Sequence, residues 1–264
     1  MRTQRWALRA GVWIGAMAVA MQAVAREAAP REVRFVTESF PPYTHAAAGR
    51  AVGPMVDVVQ EACARLAWRC AIEVLPWRRA LSMAQRAEVD AIFPIIDSPE
   101  RRQYFHISRP VVEGRYEFFV RAGNALRYTG DARVLEGRVI GAYGPSSTAL
   151  TLEALIEGVP GARSEIEPDN RTVLRKLSAG RYGEGGVALA NEAVAQLLIR
   201  EHGLTQLQAA GTVKSFGYSF ALSRQRLDLP TALAFAGALH ELCRSGRTAE
   251  LFKPYGLAPS PCLR

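Results

Sequence analysis

Two hydrophobic rhythms alternate between residues 32 and 96, and their order leaves few folds open. EVRFVTESF, residues 32–40, alternates apolar and polar positions and is rich in β-branched and aromatic residues, the pattern of a strand. MVDVVQEACARLAW, 55–68, spaces its apolar residues as one face of a helix. CAIEVLP, 70–76, reads as a strand again, and WRRALSMAQRAE, 77–88, as a helix starting at Trp77. VDAIFPII, 89–96, is apolar enough to be a buried strand. Strand, helix, strand, helix, strand predicts a parallel sheet with helices on its faces.

The rhythm returns further along. GRYEFFVRAG (114–123) is extended, LEGRVIGAYG (135–144) is a strand, and PSSTALTLEALIEG supplies a turn and a helix. SEIEP, TVLRKLSAGR, VALA (187–190) and NEAVAQLLIREHG continue as strand, helix, strand and helix. TVKSFGYSFALSR (212–224) is a long strand-like segment, and the chain from Pro230 is helical to its end with a break near Gly246. Two α/β units therefore meet at two extended segments, near 116–122 and 213–221. The chain leaves the first unit, builds the second and comes back. Two connections between two lobes form a hinge, and hinged lobes close around ligands. The expected division is residues 26–120 with 217–264 as the first lobe and 121–216 as the second.

The N-terminus belongs to neither lobe. Arg2, Arg5 and Arg9 precede an apolar run from Ala10 to Val24, and Ala23-Val24-Ala25 has the small-x-small form of a cleavage site. The run is shorter than the roughly 20 apolar residues of a membrane-spanning helix. Residues 1–25 are expected to be a signal peptide, and the remainder a soluble protein of an extracytoplasmic compartment. Removal takes away three arginines and no acid, so 239 residues remain and the net charge falls from +8 to +5. The remaining arginines are scattered among acids, which argues against a nucleic-acid surface. Cys63, Cys70, Cys243 and Cys262 enter an oxidising compartment, where disulfides form. Three connectivities exist, and proximity in sequence favours Cys63–Cys70 with Cys243–Cys262. Neither the cysteines nor His45, His106, His202 and His240 have metal-ligand spacing. GEGGVA, 183–188, precedes a strand instead of following one, so it reads as a turn and not as a dinucleotide motif.

The segment DSPERRQYFHISRP, 97–110, follows the buried strand 89–96. Ligands of open α/β sheets bind beyond the carboxyl ends of strands. Ser98 is placed to cap a short helix with Pro99 at its first position. Arg101 then offers a planar fork for a carboxylate.

SFPPY, WRRAL, EVDAIFPIIDSPERR, FHISRPV and FFV resemble the family 3 periplasmic solute-binding proteins, the polar-amino-acid-binding components of ABC importers. The likeness covers essentially all of 32–257 and is strongest over 89–111, at Val89, Asp90, Ser98, Arg101, Phe105 or Ile107, Ser108 and Pro110, with Ser98 where the family has threonine. It implies an α/β, two-lobed type II binding-protein fold, each lobe a mainly parallel sheet flanked by helices and joined to the other by two hinge strands. It also implies a monomer that binds a small-molecule ligand, a polar amino acid or related compound, without a cofactor and delivers it to an inner-membrane ABC permease from the periplasm.

Carried over by position, the resemblance implies that Arg101 binds a ligand carboxylate with help from Ser98. Arg102, one residue on, points elsewhere. Phe40 forms an aromatic wall, Glu38 reads a ligand side chain or amine, and Tyr43 rims the pocket. Trp77 and Arg79 open toward the cleft, where Arg79 would read a second acidic group. In the second lobe Ser146, Ser147 and Thr148 form a turn whose hydroxyls touch the carboxylate. One position departs from the family: Asn191 stands where an aspartate usually pairs with the α-ammonium. A buried ammonium without a counter-ion is costly, so Glu38 or Glu192 supplies that charge or the ligand is no α-amino acid. Two other classes fit the same scaffold: a dehydratase of the prephenate or arogenate type, and a ligand sensor for a membrane receptor.

Overall fold

The computed structural model describes residues 30–262; the expected signal peptide, 1–25, lies outside them. In chain order the strands and helices are β1 (Glu32–Thr37), β2 (His45–Ala47), β3 (Arg50–Val52), α1 (Pro54–Arg65), β4 (Arg69–Val74), α2 (Trp77–Gln85), β5 (Ala91–Ile96), α3 (Pro99–Arg102), β6 (Phe105–Ile107) and β7 (Val112–Arg121). There follow β8 (Val139–Tyr143), α4 (Ser147–Ile156), β9 (Arg163–Glu167), α5 (Asn170–Ser178), β10 (Val187–Asn191), α6 (Glu192–Glu201), β11 (Leu207–Ser223), α7 (Leu229–Arg244) and α8 (Arg247–Phe252).

The fold is a two-lobed α/β architecture. β4, β1 and β5 run parallel in one half, and β9, β8 and β10 run parallel in the other. The long strands β11 and β7 pair antiparallel between them, so that the order β4-β1-β5-β11-β7-β10-β8-β9 is one continuous sheet, with β6 also paired to β11. Both hinge segments expected from the sequence lie in this central pair. The register of β11 against β7 slips between Ala209 and Gly211 and between Thr212 and Lys214. Gly211 has φ +126°, and a Cβ there would run into the Tyr128 carbonyl, so the slip needs glycine.

Several boundaries differ from the sequence expectation. The first strand ends at Thr37, so Glu38, Ser39 and Phe40 leave the sheet. Residues 45–52, between the first strand and the first helix, form a two-stranded hairpin. β11 begins five residues before the expected 212, because β7 offers it pairing partners as far as Arg121. The break expected near Gly246 is present: α7 and α8 are separate helices, and Gly246 between them has the left-handed backbone that no helix continues.

Helices cover both faces. α1 buries Met55, Val56, Val59 and Ala62, spaced to share a face, and α7 adds Phe235, Ala238 and Leu242. Phe35, Phe93, Phe220 and Phe235 interlock beneath them, with ring centroids 5.3 to 6.0 Å apart. Each fully buried phenylalanine contributes about 2–3 kcal/mol of transfer free energy. On the opposite face α2 buries Trp77, Ala80 and Ala84. Gly53 lets the chain turn into α1 at φ +118°, where a Cβ would sit 2.7 Å from the Tyr43 carbonyl oxygen. The disulfides are Cys63–Cys70, tying α1 to β4, and Cys243–Cys262, tying the C-terminal tail to α7.

Candidate ligand-binding site

The parallel strands aim their carboxyl ends at the seam between the lobes. β1 ends just before Glu38, β5 just before Asp97 and Ser98, β8 at Tyr143, and β10 at Asn191. Strand polarity alone therefore gathers chemistry at one place. A cavity of about 30 Å³ lies there, lined by Glu38, Phe40, Trp77, Arg101, Ser147 and Thr148, together with Pro94, Ile96, Tyr116, Tyr143, Ser146 and Tyr218.

Local chemistry fixes the arginine. The Ser98 hydroxyl accepts a hydrogen bond from the Arg101 N–H at 3.3 Å and caps α3, with Pro99 at its first position. Successive helical residues project about 100° apart. Arg101 consequently turns into the cavity while Arg102 turns out and pairs with Asp97. The Arg101 Nη1 donates to the Ile96 carbonyl at 2.7 Å and Nη2 to the Ser147 hydroxyl at 3.3 Å. The guanidinium lies 5.8 Å from the centroid of the Trp77 ring, within cation–π range. Among the described residues no carboxylate forms an ion pair with it. Burial pulls its pKa below the usual arginine value, as expected of a desolvated cation.

From the second lobe, Ser146 caps α4. Its hydroxyl accepts from the Thr148 N–H at 3.1 Å and donates to the Tyr143 carbonyl at 2.6 Å. That turn presents Ser147 to Arg101, and the Tyr116 hydroxyl hydrogen-bonds Thr148 and Ser147. Burial pushes the Tyr116 phenol up to about 12.

Glu38 is the acid of the cavity. Its backbone carbonyl accepts from the buried Thr44 hydroxyl at 2.7 Å, and its carboxylate accepts from the Tyr143 hydroxyl at 3.0 Å. The residue keeps some surface on the cavity, yet protein surrounds the carboxyl on almost every side. Burial pushes its pKa from 4.5 up to about 7, against a smaller downward pull from Tyr143.

Two residues read from the sequence as ligand contacts stand behind the cavity wall. Tyr43 stacks under Phe40, ring centroids 5.3 Å apart, and is 1% exposed. Asn191, also 1% exposed, caps α6 by accepting from the Val194 N–H at 3.1 Å. Its amide also hydrogen-bonds the Tyr43 hydroxyl (3.3 Å) and donates to the Tyr218 hydroxyl (3.2 Å). Arg79 lies exposed on α2, away from the cavity lining. Ser98 reaches the site only through its cap on Arg101. Tyr116, Tyr143 and Tyr218 were not read as site residues. Tyr143 is at the end of a parallel strand, directly before the GPSS turn, and that position is its one signal in the sequence.

This fold, with its polar groups converging between two lobes, is that of a solute-binding protein. The chain belongs to the bacterial extracellular solute-binding proteins, family 3, whose model matches residues 33–258. Solved structures agree on the fold. A histidine kinase sensor domain with similarity to periplasmic binding proteins superposes with a TM-score of 0.76 at 18% identity, over 88% of this chain and 99% of that one. An ancestral arginine-binding protein bound to arginine does so at 0.74 and 17%, over 86% and 99%. The arginine-, lysine-, histidine-binding protein ArtJ from Geobacillus stearothermophilus does so at 0.71 and 20%, over 85% and 95%. No curated protein sequence matches the chain.

Proposed function

We propose that this protein captures a small carboxylate-bearing solute between its lobes outside the cytoplasmic membrane and delivers it to an ABC importer. One observation carries the reading: Arg101, a half-buried cation without an ion-pair partner among the described residues, meets Ser147 of the opposite lobe at 3.3 Å. A carboxylate between them takes hydrogen bonds from both sides of the cleft, and it binds the closed arrangement better than any open one. Differential affinity of that kind shifts the lobes toward closure. Residues 26–120 with 217–264 move as one body against 121–216, about the β7–β11 pair. The Glu38–Tyr143 hydrogen bond is a further contact between the two expected lobes. Export through the leader 1–25 fits the family, and among the described residues no helix is long and apolar enough to cross a membrane.

The test is thermal stabilisation of the purified protein by a panel of amino acids, dicarboxylates and small aromatic acids, repeated with Arg101→Ala. Stabilisation that survives the substitution removes the carboxylate clamp. A second reading, a sensor that reports the solute to a membrane receptor, is favoured by the likeness to the histidine kinase sensor domain; co-purification with a permease or with a receptor separates the two. Glu38, able to hold a proton near neutral pH, also meets one requirement of an acid catalyst. Turnover of a bound solute would reveal that activity.

A further inference from the structure

The two charged side chains that line the cavity, Glu38 and Arg101, each border a different neighbouring cleft. Glu38 also borders a cleft of about 470 Å³ on one side of the cavity, a cleft whose lining does not include Arg101. Arg101 also borders a cleft of about 360 Å³ on the other side, whose lining does not include Glu38. Phe40 and Tyr143 line both the cavity and the Glu38 cleft but not the Arg101 cleft, whereas Trp77 borders all three, so the Glu38 end is an acid beside two aromatic rings of its own. Such a surround attracts an ammonium through the ring faces as well as through the carboxylate.

No carboxylate of the cavity other than Glu38 is available to an ammonium near Arg101, and the nearby carbonyls and the Asn191 amide behind the wall already accept hydrogen bonds. The Ile96 carbonyl takes Arg101 Nη1, and the Tyr143 carbonyl takes the Ser146 hydroxyl. The Asn191 Oδ1 takes the Val194 N–H and the Tyr43 hydroxyl. What remains there is one cation, Arg101, and the hydroxyls of Ser147, Thr148 and Tyr116, which can accept a hydrogen bond but bring no negative charge. An α-amino acid carries its ammonium on the carbon next to the carboxylate. Seated on Arg101, it would bury that ammonium without a charged partner, which is costly.

Resting on the reading that Arg101 takes a carboxylate, we propose that the ligand is an ω-ammonium carboxylate: a carboxylate at the Arg101 end, a short apolar chain between the rings, and an ammonium at the Glu38 end, with no α-ammonium. Glu38 is then the residue that determines specificity. The charged and titratable groups around it are Tyr143, Tyr116, Tyr218 and Arg101, with Asp169 and Arg171 across the outer cleft. Burial raises the three tyrosines above their ordinary range, so they stay neutral between pH 6 and 8. Glu38 itself ionises across that interval, and an ammonium binds its charged form.

The experiment is calorimetric titration of the purified protein with isomeric pairs: 4-aminobutyrate against 2-aminobutyrate, and 5-aminovalerate against norvaline, with butyrate and valerate as amine-free controls. The ω isomer is expected to bind and the α isomer not to. Affinity for the ω isomer should rise up to about tenfold from pH 6 to pH 8, as Glu38 gives up its proton. Glu38→Gln should abolish that binding while circular dichroism shows an intact fold. Binding of the α isomers in an Arg101-dependent way, equal binding of the amine-free acids, or no binding by either series overturns the proposal. Binding of any of these compounds that survives Arg101→Ala overturns the carboxylate clamp as well, so the two failures are distinguishable.

Discussion

Asn191 and Tyr218 are joined by a hydrogen bond of 3.2 Å between two side chains with almost no exposed surface. The same amide caps α6 and meets Tyr43. Asn191 is thus a structural knot between β10, α6 and the aromatic layer under the cavity. Asn191→Ala removes a cap and leaves two buried phenols without their partner. The expected loss is about 2–4 kcal/mol, read as a lower urea midpoint. An unchanged midpoint would mean that the network contributes nothing to folding.

Arg101 and Arg102 are adjacent and have opposite fates. Arg101→Lys keeps the charge but loses the fork that reaches Ile96 and Ser147 together. It is expected to weaken solute-induced stabilisation by about 1.5–3 kcal/mol. Arg102→Ala removes an exposed partner of Asp97 and should leave that response intact. Equal effects of the two substitutions, in one thermal-shift titration, would contradict the division of roles.

Glu38 gives the stability of the protein an unusual slope with pH. Its folded pKa, about 7, lies above the ordinary 4.5. Between those values the folded chain holds a proton that the unfolded chain has released, so its contribution to stability falls as pH rises through the window. The size is on the order of 2–3 kcal/mol. Glu38→Gln should be more stable than the parent at pH 8 and similar to it at pH 4.5. The difference between the two melting curves across pH isolates this one group, and a difference that does not change with pH would show that the folded carboxyl titrates normally.

The disulfides constrain loops of different length, with sequence separations of 7 and 19. On the chain-entropy account, removing Cys243–Cys262 should cost about 1 kcal/mol more than removing Cys63–Cys70, each costing about 2–4 kcal/mol. Paired Cys→Ala variants compared by denaturant unfolding test the ranking. The opposite order would indicate that the tail after Phe252 contributes little to the cooperative fold.

What the sequence disclosed follows the range of the interactions involved. Ser98, Pro99 and Arg101 were legible because a helix cap is local chemistry: four consecutive residues determine which arginine faces in. The α/β order was legible because periodicity is local as well. Tyr116 and Tyr218 were not, since both lie on the long central strands, where strand rhythm does not say which face meets the other lobe. The pairing of β7 with β11 decides it. Asn191 shows the reverse case. Its position after a strand marked it for the site, but the hydroxyls of Tyr43 and Tyr218, 148 and 27 residues away in sequence, hold it behind the wall.

The backbone ladder passes from one half of the sheet to the other without a gap, so the halves cannot swivel freely on a pin. Flexure is the soft coordinate, and it is softest where β11 slips against β7 between Ala209 and Lys214, because unpaired residues give a strand slack. If the lobes close on a solute as proposed, the pair acts as a leaf spring whose elastic pull that solute must balance, which ties the strength of the grip to the stiffness of two strands that lie largely outside the pocket.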